Sequence, residues 1–482
     1  MSRRIATTIG ARRVDRYPAV KLYTRSALLL VTLALTAACS DSGADPATAD
    51  AGDGATPGDG ALPDASPDVD GASLPPEVLF PRTGITADQM AVLVNDDDPL
   101  SVSVAAYYVT ARNIPAPNVV HLKLGAPTAA LSVGAFTPLK TQVDAALLGT
   151  SAQAMAITWT QPYRVDYMSI TSAFSLGYIP VDVSTNPCSN SSPKCGPDNP
   201  YVGHAEVTSP FTDRAFRPSM TIPATTLVEA KTLIDRGVAS DGTWPTGSAY
   251  LMKTSDAIRS ARCVLNPTYG YINECQLFLD TWDTTASGIG ASIVMADDVQ
   301  SKTDVLFYVQ GLASVPNLTT NKYLPGAVAD HLTSFGGDIP TSGQMSCFEF
   351  IKAGATGSFG TVVEPYAFQE KFPDPRVVIP RYFGGNTLIE AYWKSVSSPG
   401  MGIFIGEPLA RPFGNGFRSQ FANGTLTIET TTMIPGHKYL VEAADSSAGP
   451  FTTVQDNLSV TKYQKMTVTI PQATRHTYRF RE

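Results

Sequence analysis

Four residues in one glycine-rich stretch, 324 to 366, have side chains that hydrolytic enzymes use: Asp330, His331, Ser334 and Cys347. Three arrangements are open to them. His331 could act as general base for the Cys347 thiol, which requires the intervening "FGGDIPTSGQMS" to fold back and bring the two side chains within about 3 to 4 Å. Asp330, His331 and Ser334 could form a compact triad. That arrangement is awkward, because adjacent strand residues point to opposite faces. The third arrangement is a rigid passage from strand to loop. In it Asp330 binds backbone amides, His331 is a satisfied, partly buried side chain, and Gly336 and Gly337 supply unusual backbone angles. A lone buried thiol is more often a small apolar residue than a nucleophile, and the third arrangement is preferred.

The elements around this stretch alternate between strand and helix. "MAVLVN" is a continuous apolar run suited to a strand buried on both faces, and "AMAITWT", "SAYLMKT", "GIGASIVMADD", "TDVLFYVQG" and "ATGSFGTVVEP" read similarly. "LSVSVAAYYVTARN" and "TTLVEAKTLIDRGVAS" read as helices, the second with a capping box. The pattern predicts an α/β domain over residues 80–417, with a mostly parallel sheet flanked by helices. Functional groups of such sheets gather at the carboxyl ends of the strands. Asp96 to Asp98, Asp297, Asp298, the Gln310 to Ser314 turn and Asp330 to Ser334 fall at or near such ends. Residues 185–220 read as a Pro- and Ser-rich excursion. Short alternating runs over residues 418–482 predict a small antiparallel β-sandwich docked on the first domain. In "KFPDP", Lys371 and Asp374 read as solvated charges on a proline-stiffened loop. Tyr392 and Trp393 of "TLIEAYWKSV" read as core residues.

The ends of the chain speak to location. Seven basic residues precede the apolar run "ALLLVTLAL", which is too short to span a bilayer, and "TAAC" follows. Residues 1–39 therefore read as an export signal. Residues 40–79 hold eight Asp, one Glu and no basic residue among Ala, Gly, Pro and Ser. They read as a disordered acidic tether, too polar to offset its own ordering entropy. Residues 1–39 carry +6 and residues 40–79 carry −9 of the chain's net −8, which leaves −5 over the remaining residues. The near-neutral remainder gives no basic footprint for nucleic acid. In an exported chain, Cys188 with Cys195 and Cys263 with Cys275 make the simplest disulfide pairs, although four cysteines allow three connectivities. Five scattered His residues and the lack of CxxC or HExxH spacing argue against a metal site, and no cofactor is expected.

The run ending at Cys39 resembles the lipobox of bacterial lipoproteins, with Leu35 one place earlier than usual. That resemblance implies a lipid-anchored chain, and Ser40 after the Cys favours the outer membrane of a Gram-negative bacterium. "LVNDDDPLSVSVAAYYVTARNIP", "PGAVADHLTSFGG", "AGATGSFGTVVEPY", "KFPDP" and "GIFIGEPLARPF" resemble an uncharacterised exosortase-associated bacterial lipoprotein family. Glu364 and Glu407 lie in such stretches, and Glu390 lies in a further one, "TLIEAYWKSV". More remotely, the order of parts is similar to the gingipain and caspase-like cysteine peptidases, in which a Gly-His-Gly-Ser turn supplies the base and the next core strand a Cys. Here that turn reads Gly311-Leu312-Ala313-Ser314, and the next strand ends near His331 to Thr333. Leucine cannot activate a thiol. The resemblance thus implies a degenerate peptidase-like domain with a binding or assembly role toward an envelope protein, a peptide or a polysaccharide. The alternative is a cysteine hydrolase using His331 and Cys347.

Overall fold

The computed structural model describes residues 75–179 and 198–482. Cys39, Cys188 and Cys195 lie outside the described residues. Ten strands form the central sheet: β1 (Met90–Asn95), β2 (Val119–Leu122), β3 (Ala154–Ile157), β4 (Ser219–Thr221), β5 (Gly247–Met252), β6 (Ile289–Val294), β7 (Val305–Gln310), β8 (Tyr323–His331), β9 (Gly357–Thr361) and β10 (Gly402–Gly406). Every residue of β1, β7, β9 and β10 is buried, as continuous apolar runs covered on both faces should be. The edge strands β2 and β6 keep partly exposed positions.

The spatial order is β6-β5-β7-β8-β9-β10-β4-β3-β1-β2. All neighbours run parallel except β9 and β10, which are antiparallel. The sheet is therefore two parallel five-stranded halves running in opposite directions. In each half the first strand is flanked by the second on one side and the third on the other, giving the order 2-1-3-4-5. The second half is inserted in the chain between the fourth and fifth strands of the first. The sequence pattern suggested one common mouth for the sheet. Instead, Asp96 to Asp98 lie at the opposite edge from Asp297, Gln310 and Asp330.

Helices α1 (Pro99–Arg112) and α2 (Leu227–Ser240) pack on each other and against β1 and β8 respectively. Asp98 caps α1 by accepting from the Leu100 amide, and Thr226 with Glu229 forms the capping box of α2. Helices α3 (Phe348–Ala353), α4 (Pro375–Phe383) and α5 (Leu388–Ser395) complete the second half and its return to β10. Tyr392 and Trp393 are fully buried in the core, as their spacing indicates. Two strands were not legible in the sequence. β4 closes the supposed excursion, and its Ser219 hydroxyl donates to the Thr171 carbonyl inside the core. β10 is only five residues long.

Beyond residue 416 a three-stranded and a four-stranded sheet share one hydrophobic core. The four-stranded sheet is not wholly antiparallel. Glu77–Leu79, the end of the segment expected as tether, forms a strand that pairs parallel with Thr477–Arg481. The sandwich docks on the α/β unit through Tyr463, whose amide donates to Thr281 O and whose carbonyl accepts from Asp283 N. Among the described residues, no helix is long and apolar enough to cross a membrane.

Candidate functional site

Asp330 and His331 end β8, and both are buried rather than partly exposed. Among the described residues, no backbone amide donates to the Asp330 carboxylate. The carboxylate instead accepts from Arg262 Nη1 at 2.5 Å, and the guanidinium also donates to the carbonyls of Gln310 and Pro373. Burial raises the Asp330 pKa above the ordinary carboxylate value, with the Arg262 charge opposing it. The His331 ring packs edge-on against Phe350, and its Nδ1–H donates to the Leu312 carbonyl at 3.0 Å. A carbonyl can only accept, so this bond fixes the tautomer and leaves Nε2 as the lone-pair nitrogen. Nε2 has no hydrogen-bond partner of good geometry. Burial drives the imidazole pKa down to about 4, with the Leu312 bond resisting.

Cys347 is fully buried at the start of α3, with its amide donating to Gly336 O at 2.7 Å. Neither ring nitrogen of His331 hydrogen-bonds the sulfur. Burial pushes the thiol pKa well above its ordinary value, and the Asp330 and Asp338 charges add to the shift. Ser334 is half-buried, with its amide pointed at Gln344 Oε1 and its carbonyl accepting from Thr361. Gly336 and Gly337 are absent from the positive-φ glycines, so unusual backbone angles are not their role. They permit close approach instead. A Cβ on Gly336 would stand 2.9 Å from His331 Nε2, and one on Gly337 would stand 2.8 Å from the Thr361 carbonyl carbon. The loop thus folds back as a thiol–imidazole pair would require, yet it packs its backbone against the imidazole.

Around the same edge, the Cys263–Cys275 disulfide pins a loop that presents Tyr269 and Tyr271, stacked at 5.5 Å. With Ile258, Thr268, Tyr366 and Phe368 these line an open groove of about 340 Å³ that contains no charged side chain. Tyr366 holds a left-handed backbone (φ 54°), an uncommon state for a bulky residue and one that concentrates at functional loops. Gln369 ties the two walls together, accepting from the Ile272 amide and donating to the carbonyls of Ala261 and Ile272. Lys371 is not a solvated charge. It is buried, its ammonium donates to Pro365 O, and burial lowers its pKa to about 8. Asp374 caps α4 and is chelated by Arg376. Glu364 accepts from the Tyr366 amide.

The opposite edge has its own crevice. At the junction of β1 and β3, Asp98, Leu100, Thr158, Thr160 and Gln161 border a pocket of about 180 Å³. This is the point where strand order reverses, the usual ligand position in such sheets. Glu407 and Glu390 are structural: Arg112 grips Glu407, while Glu390 accepts from the Ile85 amide and the Tyr201 hydroxyl. Among the described residues, no three His, Cys, Asp or Glu side chains group so as to hold a metal ion. Sequence reasoning missed Arg262 altogether. Its only local signal was an Arg beside a disulfide cysteine, which does not reveal a partner 68 residues away.

No family model and no curated protein matches the chain. Among solved structures, one described as "Structure of Protease" aligns over 81% of this chain and 98% of its own, at 8% identity and a TM-score of 0.35. A likeness that slight carries neither an activity nor a fold assignment.

Proposed function

We propose that this protein is a surface-anchored envelope lipoprotein whose α/β domain, of degenerate caspase- or gingipain-like topology, binds its partner without cutting it. The observation that carries the reading is the state of the thiol. Cys347 is sealed in the core, held protonated by burial, and lacks a hydrogen bond to the nearby imidazole. A thiolate nucleophile needs a base in contact and access to substrate, and the burial of Cys347 favours a structural role for it. The uncharged aromatic groove at the same edge supports a binding role, because exposed, pre-positioned aromatic rings offer large contact area at low ordering cost. An exported chain anchored through Cys39, with outer-membrane placement and membership of the exosortase-associated family, rests on the sequence resemblance.

The test is alkylation of the intact, non-reduced protein at pH 7 with a thiol probe, read at the Cys347 peptide by mass spectrometry. The expected result is slow labelling in the native state and fast labelling in denaturant. Fast native labelling that disappears in His331→Ala would establish the cysteine hydrolase instead. Metabolic labelling with a fatty-acid analogue, lost in Cys39→Ser, tests the anchor separately.

A further inference from the structure

A second cleft, unrelated to the thiol, opens where the α/β unit meets the sandwich. It encloses about 430 Å³ and draws its walls from the segment at Arg82, the loop at Glu206, the end of α4 and the sandwich residues His437, Tyr439, Phe480 and Glu482. That volume lies within the range of small-ligand sites, which favour domain junctions. One wall is rigid and aromatic. Tyr439 and Phe480 are both buried and stack at 5.5 Å, and Phe80 stacks behind Phe480 at 4.6 Å.

Arg381 also lines the cleft, a half-buried side chain with no hydrogen-bond or ion-pair partner among the described residues. The other charges at the cleft are engaged. Arg82 donates to Gly84 O, Gln89 and Thr208 O, Glu206 pairs with His204, and Glu482 with His437. Arg381 and Tyr439 both border this cleft. The Tyr439 hydroxyl accepts from the Ile434 amide at 3.0 Å, so its own proton remains free to donate.

We propose that this cleft binds the C-terminal end of a peptide, with Arg381 taking the terminal carboxylate and Tyr439 and Phe480 taking an apolar last side chain. A guanidinium fork matches a carboxylate in two parallel hydrogen bonds, and a phenol donor beside it completes a three-donor cradle. The volume accommodates roughly two residues, so recognition is confined to the end of the chain. The proposal is independent of whether Cys347 reacts, and it names a site on a different part of the molecule.

Titration calorimetry of the full chain with N-acetyl-Leu-Phe as free acid and as C-terminal amide tests it. The acid is expected to bind at least tenfold more tightly than the amide. Arg381→Gln should erase that difference while leaving the thermal unfolding midpoint in place. Equal affinity for acid and amide, no binding of either, or a preference that survives in Arg381→Gln would overturn the proposal and leave Arg381 a solvated surface cation. Tyr439→Phe provides a second reading: it removes the phenol donor and also leaves the Ile434 amide without its acceptor, so it should weaken the acid severalfold, with the thermal unfolding midpoint recorded alongside to separate lost binding from lost stability.

Discussion

The two halves of the central sheet share a strand order and differ in what occupies their crevices. In both, a serine in the turn after the first strand accepts from an amide six residues earlier. Ser101 Oγ accepts from the Asn95 amide, and Ser260 Oγ accepts from the Thr254 amide, each at 2.9 Å. Each hydroxyl is then tied to a threonine, Thr158 just after the third strand of the first half and Thr254 just after the first strand of the second. The paths diverge after that. In the first half Pro99 starts a fourteen-residue helix and a pocket remains open above it. In the second half the chain makes a short turn that lays the Arg259 carbonyl on Gly311, followed by the disulfide loop. Arg262 then reaches into the core to meet Asp330. Topology creates two crevices, and local residues decide that one is filled and sealed with charge. The sealed one adjoins the would-be catalytic residues.

The most severe way to break the sealed half is to remove Arg262. Arg262→Ala leaves Asp330 buried without its partner and is expected to cost about 3 to 5 kcal/mol in urea unfolding, whereas Arg262→Met with Asp330→Leu should recover most of that loss. Acid should open the same half through His331. Its folded pKa of about 4 lies below the ordinary 6.5, so the unfolded chain takes up a proton that the native state refuses between those values. The contribution is complete above pH 6.5 and disappears as pH falls toward 4. Between pH 7.5 and 4.5 the wild type should lose about 2.5 kcal/mol more than His331→Gln, measured by denaturant unfolding at each pH. Gly311→Ala would drive a methyl group into the Arg259 carbonyl and should cost about 2 kcal/mol, while leaving the first half's amide exchange protected. Ser101→Ala and Ser260→Ala sharpen the comparison. Each orphans one buried amide and should cost about 1 to 2 kcal/mol, and a large inequality would show that the two turns are not equivalent.

Periodicity and caps were readable because they are local. "MAVLVN" is a buried strand wherever it is placed, and Thr226 with Glu229 closes a helix end within four residues. The same reasoning recovered most core strands, the sandwich and the Cys263–Cys275 pair, whose loop is short. It missed β4, whose three residues are too few to show a period, and it also missed β10. Lys371 was misjudged for a related reason: prolines mark a loop, but they do not say that the loop's lysine is turned into the interior.

By itself the sequence determined most of the elements and the alternation that makes an α/β sheet. Only the tertiary structure decided that the sheet is two opposed halves, so that carboxylates which look equivalent in the chain end at opposite edges. It also decided that Arg262 claims Asp330, and that His331 donates a hydrogen bond from Nδ1 to the Leu312 carbonyl with Gly336 packed close to its Nε2. The reason is range. A helix cap or a strand's burial is settled by neighbours a few residues away, whereas the partner of a buried charge or thiol is settled by whichever distant segment the packed core brings against it.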